Sequence, residues 1–163
     1  MIPCLKVAGG IRLPGKPFAG TTVKHARLLV ADAHQNMLEG VRRLVAGLFE
    51  AVVMVADEDS LVQMAATLKP DLIIVDLSLP VSGTKNVLRR LHALDLAAPA
   101  KIVVLSVHDE VEAVCEAMAA GALGFVLKRS AATDLIPAIQ EVLCGRVYVS
   151  PGVQADSSAA VAD

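Results

Sequence analysis

With 163 residues, 55% of them hydrophobic and 20% charged, the chain has the length of one ordinary domain and material for a sizeable core, which excludes disorder throughout. Aromatics make up 2%, with no Trp and a single Tyr, Tyr148, so stacking platforms for single-stranded nucleic acid or carbohydrate are excluded. The net charge of −2 hides an asymmetry: five of the 15 cations (Lys6, Arg12, Lys16, Lys24, Arg27) precede the first acid, Asp32, leaving ten against 17 acids in the body, a balance that disfavours nonspecific DNA binding.

Residues 1–25 read as a flexible basic leader. Pro3, Pro14, Pro17 and four glycines interrupt its apolar stretches, which also makes it a poor secretory signal. From residue 26 to 147 apolar runs alternate with helical stripes. The runs are RLLVA (27–31), AVVMV (51–55), LIIVD (72–76), IVVLS (102–106) and LGFVL (123–127). They are continuous rather than alternating, the mark of strands buried on both faces of a parallel sheet.

The stripe after the first run is Met37, Val41, Leu44, Val45 and Leu48, and after the second Leu61, Met64, Ala65 and Leu68. Val87, Leu88, Leu91 and Leu94 follow the third run, Val111, Val114, Cys115 and Met118 the fourth, and Leu135, Ile136, Ile139, Val142 and Leu143 the fifth. These spacings put one apolar face of each helix on the sheet. Gly121 and Gly145 stand where helix ends need them. Pro137 falls inside the last pattern and requires that helix to start near Thr133 or to kink. Residues 148–163 read as a linker and tail.

The three cysteines, Cys4, Cys115 and Cys144, are widely spaced, and Cys115 and Cys144 fall on apolar stripes, so buried free thiols in a reducing cytoplasm are expected. No apolar run reaches the roughly 18 residues that span a bilayer. Five βα units with right-handed crossovers predict a doubly wound, five-stranded parallel sheet of order 2-1-3-4-5. Ligands of such sheets bind beyond the carboxyl ends of the strands, where this chain offers Asp32, Asp76, Ser106 and Lys128.

Those strand ends carry a resemblance. LLVADAH (28–34), PDLIIVDLSLP (70–80), IVVLSVHDE (102–110) and GALGFVLK (121–128) resemble a response-regulator receiver domain of the CheY-like family over about 27–146. Ser106 and Lys128 follow Asp76 by 30 and 52 residues, much as in that family. His34…Glu39-Gly40, Ser106-x-His108-Asp109 and the closing Gly145–Pro151 stretch bring it closest to the nitrate-regulator (NarL) type.

The resemblance implies a signalling domain rather than an enzyme. Asp76 would be the phosphoacceptor, serving a sensor histidine kinase as partner. Lys128 would supply a fixed positive charge, Ser106 the hydroxyl that turns to the phosphoryl group, and Phe125 the aromatic that turns inward with it, the two forming a switch. Mg²⁺ would be held by Asp32, Asp76 and the main-chain carbonyl of Ser78. The family carries two adjacent acids after the first strand, whereas this chain has Ala31-Asp32-Ala33; shifting the register moves the vacancy to Ala31. One carboxylate is missing either way, so Mg²⁺ binding should be weakened.

Val107 is larger than the residue usual after the hydroxyl and would narrow access to Asp76. His108 and Ser78 match positions that tune phosphoryl lifetime. His34 and His92 have no partner at metal-ligand spacing and are expected in structural or surface roles. Homodimerisation, a cytoplasmic location and no membrane contact are further expectations. Twelve residues follow Pro151, too few for the helix-turn-helix that the NarL type implies. The reading therefore expects a stand-alone receiver or one cut from a longer DNA-binding regulator, with no DNA binding by this chain itself. Two alternatives stand beside it: a degenerate pseudo-receiver acting as a phosphorylation-independent interaction or dimerisation module, and a flavodoxin-like cofactor binder or enzyme. The latter would need a phosphate loop after the first strand, where the chain has DAHQNM.

Overall fold

The computed structural model describes residues 23–79, 84–94 and 100–154. Six strands, β1 (Val23–Ala31), β2 (Phe49–Val55), β3 (Leu72–Asp76), β4 (Lys101–Ser106), β5 (Gly124–Leu127) and β6 (Tyr148–Val149), alternate with five helices. These are α1 (Gln35–Leu44), α2 (Glu58–Leu68), α3 (Thr84–His92), α4 (Val111–Ala119) and α5 (Ala131–Leu143). All described strand pairs are parallel, in the order β2-β1-β3-β4-β5-β6. The expected 2-1-3-4-5 order is therefore present, with a sixth strand added beside β5. Most of the basic leader lies outside the described residues, but its last three, Val23 to His25, already belong to β1.

Alternate strand residues face opposite layers, as the pleat requires. On one face Leu29, Ile73, Val75, Val104 and Phe125 pack with Leu61 of α2, Leu88 of α3 and Val114 of α4. On the other, Leu28, Val30, Ile74, Leu105 and Val126 pack with Val41 of α1 and with Leu135 and Ile139 of α5. Arg90 of α3 reaches back to the first turn of α2, lying 2.7 Å from the buried Glu58 carboxylate and 3.3 Å from Asp59.

Local signals explain most of the boundaries. Asp57 starts α2 by accepting the Ser60 N–H at 2.7 Å, a side-chain cap. That bond, with the Ser60 hydroxyl bond, holds the Asp57 carboxyl below the usual range. Gly121, just past α4, takes a φ of +107° and lies against the His92 ring with no room for a Cβ. Gly145 ends α5 at φ +78°, as an αL cap predicts.

Several expectations need correction. AVVMV is not buried on both faces: β2 is an edge strand, with Val52 37% exposed. α1 stops at Leu44, so Val45 and Leu48 continue its apolar face from a turn. α5 begins at Ala131, near the expected Thr133, and holds Pro137 inside it, which removes the N–H that would bond the Thr133 carbonyl. Cys144 caps the end of α5 and is exposed, while Cys115 is half-buried; Cys4 lies outside the described residues.

The predicted linker also departs from expectation. Tyr148 and Val149 pair with Gly124 and Phe125 as β6. Pro151–Gln154 then form a 3-10 turn that buries Val153 in the core. Residues 148–154 thus belong to the fold, because Val149 and Val153 complete an apolar face on β5. Residues 155–163 lie outside the described part. No described helix is long and apolar enough to cross a membrane.

Candidate functional site

β1 and β3 are neighbours although β2 lies between them in the chain, so the winding reverses there and a crevice opens at their carboxyl ends. Asp32 follows β1 directly and Asp76 closes β3; both are buried, at 0% and 2% exposure. Ser106 closes β4, and Lys128 follows β5 at the start of a 3-10 turn. Strands lie nearly 5 Å apart, so Lys128 starts two strands from β3, and its long side chain spans that gap. Its ammonium lies 2.9 Å from Asp32 Oδ2 and 3.0 Å from Asp76 Oδ2.

Three strand ends share one local device, a side chain accepting the backbone N–H two residues on, which is the turn that Asp and Ser favour. His34 N–H donates to Asp32 Oδ1 at 2.8 Å, Ser78 N–H to Asp76 Oδ1 at 3.0 Å, and His108 N–H to Ser106 Oγ at 2.9 Å. The first two turns bring further side chains inward. The His34 ring Nδ1 lies 2.9 Å from Asp32 Oδ1, 3.8 Å from Asp76 Oδ2 and 3.5 Å from Lys128 Nζ. The Ser78 hydroxyl donates to Asp76 Oδ2 at 2.7 Å.

Burial, the largest single influence on the Asp76 carboxyl, pushes its pKa up. The Ser78 N–H, the Ser78 hydroxyl and the Lys128 ammonium together outweigh it and hold the group below the usual carboxylate range. Asp76 is therefore anionic near neutrality.

The structure thus brings Asp32, Asp76, Lys128 and Ser78 together. Among the described residues the Ser106 hydroxyl is engaged by His108 N–H and not by the Asp76 carboxylate. Phe125 is fully buried on the face toward α4. Val107 stands 63% exposed. His108 is exposed too, its Nδ1 3.6 Å from Glu110 Oε2. Arg129, next to Lys128, pairs with Asp109 at 2.9 Å and ties the turn after β5 to the loop after β4.

His34 was expected in a structural or surface role; its ring is exposed, and it also stands beside the carboxylates. Asp32, His34 and Asp76 each offer one ligand atom, all within 4.8 Å of one another. The signal was in the sequence as D-x-H: an Asp that caps the N–H two residues on brings that residue's side chain alongside. The D-x-S of Asp76 and Ser78 works the same way. His92, at the end of α3 beside Gly121, stays outside the site.

The sequence matches the family of the response regulator receiver domain over residues 28–140. It is 32% identical over 133 residues to the transcriptional regulatory protein DegU of Brevibacillus brevis, covering 78% of this chain and 54% of that one. Against the nitrate/nitrite response regulator protein NarL of Escherichia coli K12 the identity is 30% over 127 residues, covering 77% and 58%. The chain thus spans little more than half the length of these relatives. Among solved structures, a LuxR-family two-component response regulator from Aurantimonas sp. SI85-9A1 superposes with a TM-score of 0.74 at 29% identity, covering 86% of this chain and 100% of that one. The signal receiver domain of the putative response regulator NarL from Mycobacterium tuberculosis gives 0.68 at 28%, covering 76% and 99%.

Proposed function

The chain belongs to the response regulator receiver domain family of two-component systems, in its NarL-type branch, and from that premise we propose that Asp76 accepts a phosphoryl group from a sensor histidine kinase. An Asp76 carboxylate oxygen forms the new O–P bond as the P–N bond to the donor histidine breaks, and the imidazole leaves with the bonding pair. Such transfer is mostly positioning and neutralisation of charge on the phosphoryl oxygens. The observation that carries the reading is the Lys128 ammonium, 3.0 Å from the Asp76 carboxylate in a buried crevice. It neutralises the acceptor now and the phosphoryl oxygens afterwards.

Release of the Ser106 hydroxyl from His108 N–H toward the phosphoryl group, with movement of Phe125, changes the surface formed by α4, β5 and α5. That surface is the output, and its partners follow from what the rest of a regulator would supply. The relatives are transcription regulators, and regulation of transcription is the role we assign to the protein of which this domain is the controlling part.

A divalent cation fits the donor set. Asp32 and Asp76 supply carboxylates, Ser78 its main-chain carbonyl, and His34 an imidazole in place of the acid absent at Ala33. Mg²⁺ prefers oxygen and keeps several waters, so one carboxylate fewer leaves a weaker site. When bound, the cation would add to the positive charge facing the phosphoryl oxygens.

The test is incorporation of phosphate from acetyl phosphate, with and without Mg²⁺, followed by intact-mass spectrometry on the parent, Asp76→Asn and Ala33→Asp. Asp76→Asn is expected to incorporate none, the parent some, and Ala33→Asp more at low Mg²⁺. Absence of incorporation in all three overturns the reading.

A further inference from the structure

β6 ends at Val149, and the way it ends bears on the site. In a continuing parallel ladder the Ser150 carbonyl would take the N–H of Leu127. Here Pro151 starts a 3-10 turn, and that carbonyl instead accepts the Val153 N–H at 3.1 Å. The Ser150 hydroxyl substitutes for it. It accepts the Leu127 N–H at 3.0 Å and donates to Asp134 Oδ2 of α5 at 2.8 Å, while Ser150 N–H donates to the Phe125 carbonyl at 2.9 Å. Ser150 is 1% exposed, so its bond with the buried Leu127 N–H is shielded from water, while the Asp134 carboxylate is half-buried.

The strap 148–153 thereby grips β5 at Phe125 and at Leu127, the residue before Lys128. Phe125 is its ladder partner, and Leu127 immediately precedes Lys128. Val153, also 1% exposed, packs in the same cluster as Phe125 and Leu127. Gly152 lies so close that a Cβ would stand 3.1 Å from Leu127 Cδ1 and 3.3 Å from Arg129 Nη2. Leu127, which precedes Lys128, thus bonds the strap directly, and the Arg129 side chain, which follows it, lies near Gly152. Movement of the strap moves the root of the side chain whose ammonium spans Asp32 and Asp76.

We propose that Ser150 is a positioning residue for Lys128, and that through it the docking of the strap 148–153 and the phosphorylation state of Asp76 are coupled. The proposal rests on the reading of Asp76 as phosphoacceptor and says how that state leaves the domain: along the segment that follows α5 and pairs with β5. Coupling is reciprocal by linkage. A strap held down favours the Lys128–Asp76 geometry, and a phosphoryl group that draws Lys128 to itself alters the strap's hold by the same factor.

The experiment titrates beryllofluoride, an analogue of the phosphoryl group, in the presence of Mg²⁺ and reads binding by fluorine NMR. The proteins are the parent, Ser150→Ala, Ser150→Thr and the core control Ile139→Val. In the parent, amide hydrogen exchange at Leu127 and Ser150 is read with and without the reagent. Ser150→Ala is expected to weaken beryllofluoride binding about 5-fold or more, Ser150→Thr to restore it, and Ile139→Val to leave it unchanged even where its Tm falls as far. Exchange at Leu127 in the parent should change on binding. Binding by Ser150→Ala at parental affinity, or unchanged exchange at both amides in a parent that binds, overturns the coupling and leaves the Asp76 reading intact. A parent that binds no beryllofluoride overturns that reading, and the coupling with it.

Discussion

The two margins of the sheet are built differently. β2 forms one edge and is half-buried in alternation, with Glu50 and Val52 exposed. β5 would form the other, yet its four residues are all buried because β6 and the turn after it cover the margin. Both strands read as continuous apolar runs. The covered margin holds Phe125 and delivers Lys128, whereas β2 supplies no residue to the site. A strand that must place a charge within 3 Å of its target needs neighbours on every side, and a strand that only closes the sheet does not.

This contrast can be broken by mutation. Phe125→Ala should cost about 3–5 kcal/mol, the usual effect of emptying an aromatic core position, as measured by chemical denaturation. A cost below about 1 kcal/mol would mean that the β5 margin is no better packed than β2. The same change made on both strands sharpens the comparison. Val126→Thr buries a hydroxyl without water and should cost about 1–3 kcal/mol, while Val52→Thr on β2 should stay within about 0.5 kcal/mol. Equal costs would refute the difference between the margins.

The smallest expected effect is one of pH. The Asp76 carboxyl is held below its ordinary value in the fold, so its charged form stabilises the native state above the unfolded pKa of about 4. That contribution is lost as pH falls through the lowered native value. Asp76→Asn lacks it, so the slope of stability against pH on the acid side should be shallower in the variant than in the parent. Parallel slopes would show that Ser78 and Lys128 do not favour the anion.

Most of the fold was legible because parallel strands buried on both faces leave uninterrupted apolar runs, and helices lying on them leave stripes. The run alone could not separate AVVMV at an edge from LIIVD in the centre, since edge position is decided by which strands pair. β6 escaped because two residues make no run, and Ser150-Pro151 reads as a linker; the buried Val153 four residues after Val149 was the available sign. Asp32, Asp76 and Lys128 were legible as strand-end residues. Ser78 was reached through the resemblance, whereas His34 was passed over because the D-x-H turn that brings its ring alongside Asp32 was not read as a site signal. The Ser106 hydroxyl, held by the His108 amide, shows that a strand-end position fixes where a group stands but not which partner it chooses.

The adjacency of β1 and β3 has a consequence for the order of events in the life of the chain. Asp32 and Asp76 become neighbours only when that crossover has closed, and Lys128 joins them only when β5 has docked in turn. Each closure brings together residues far apart along the chain, which is the slow part of assembling a parallel sheet. A copy in which β5 has not docked therefore has the two carboxylates but not the Lys128 ammonium beside them, and the cluster is complete only once that closure is made.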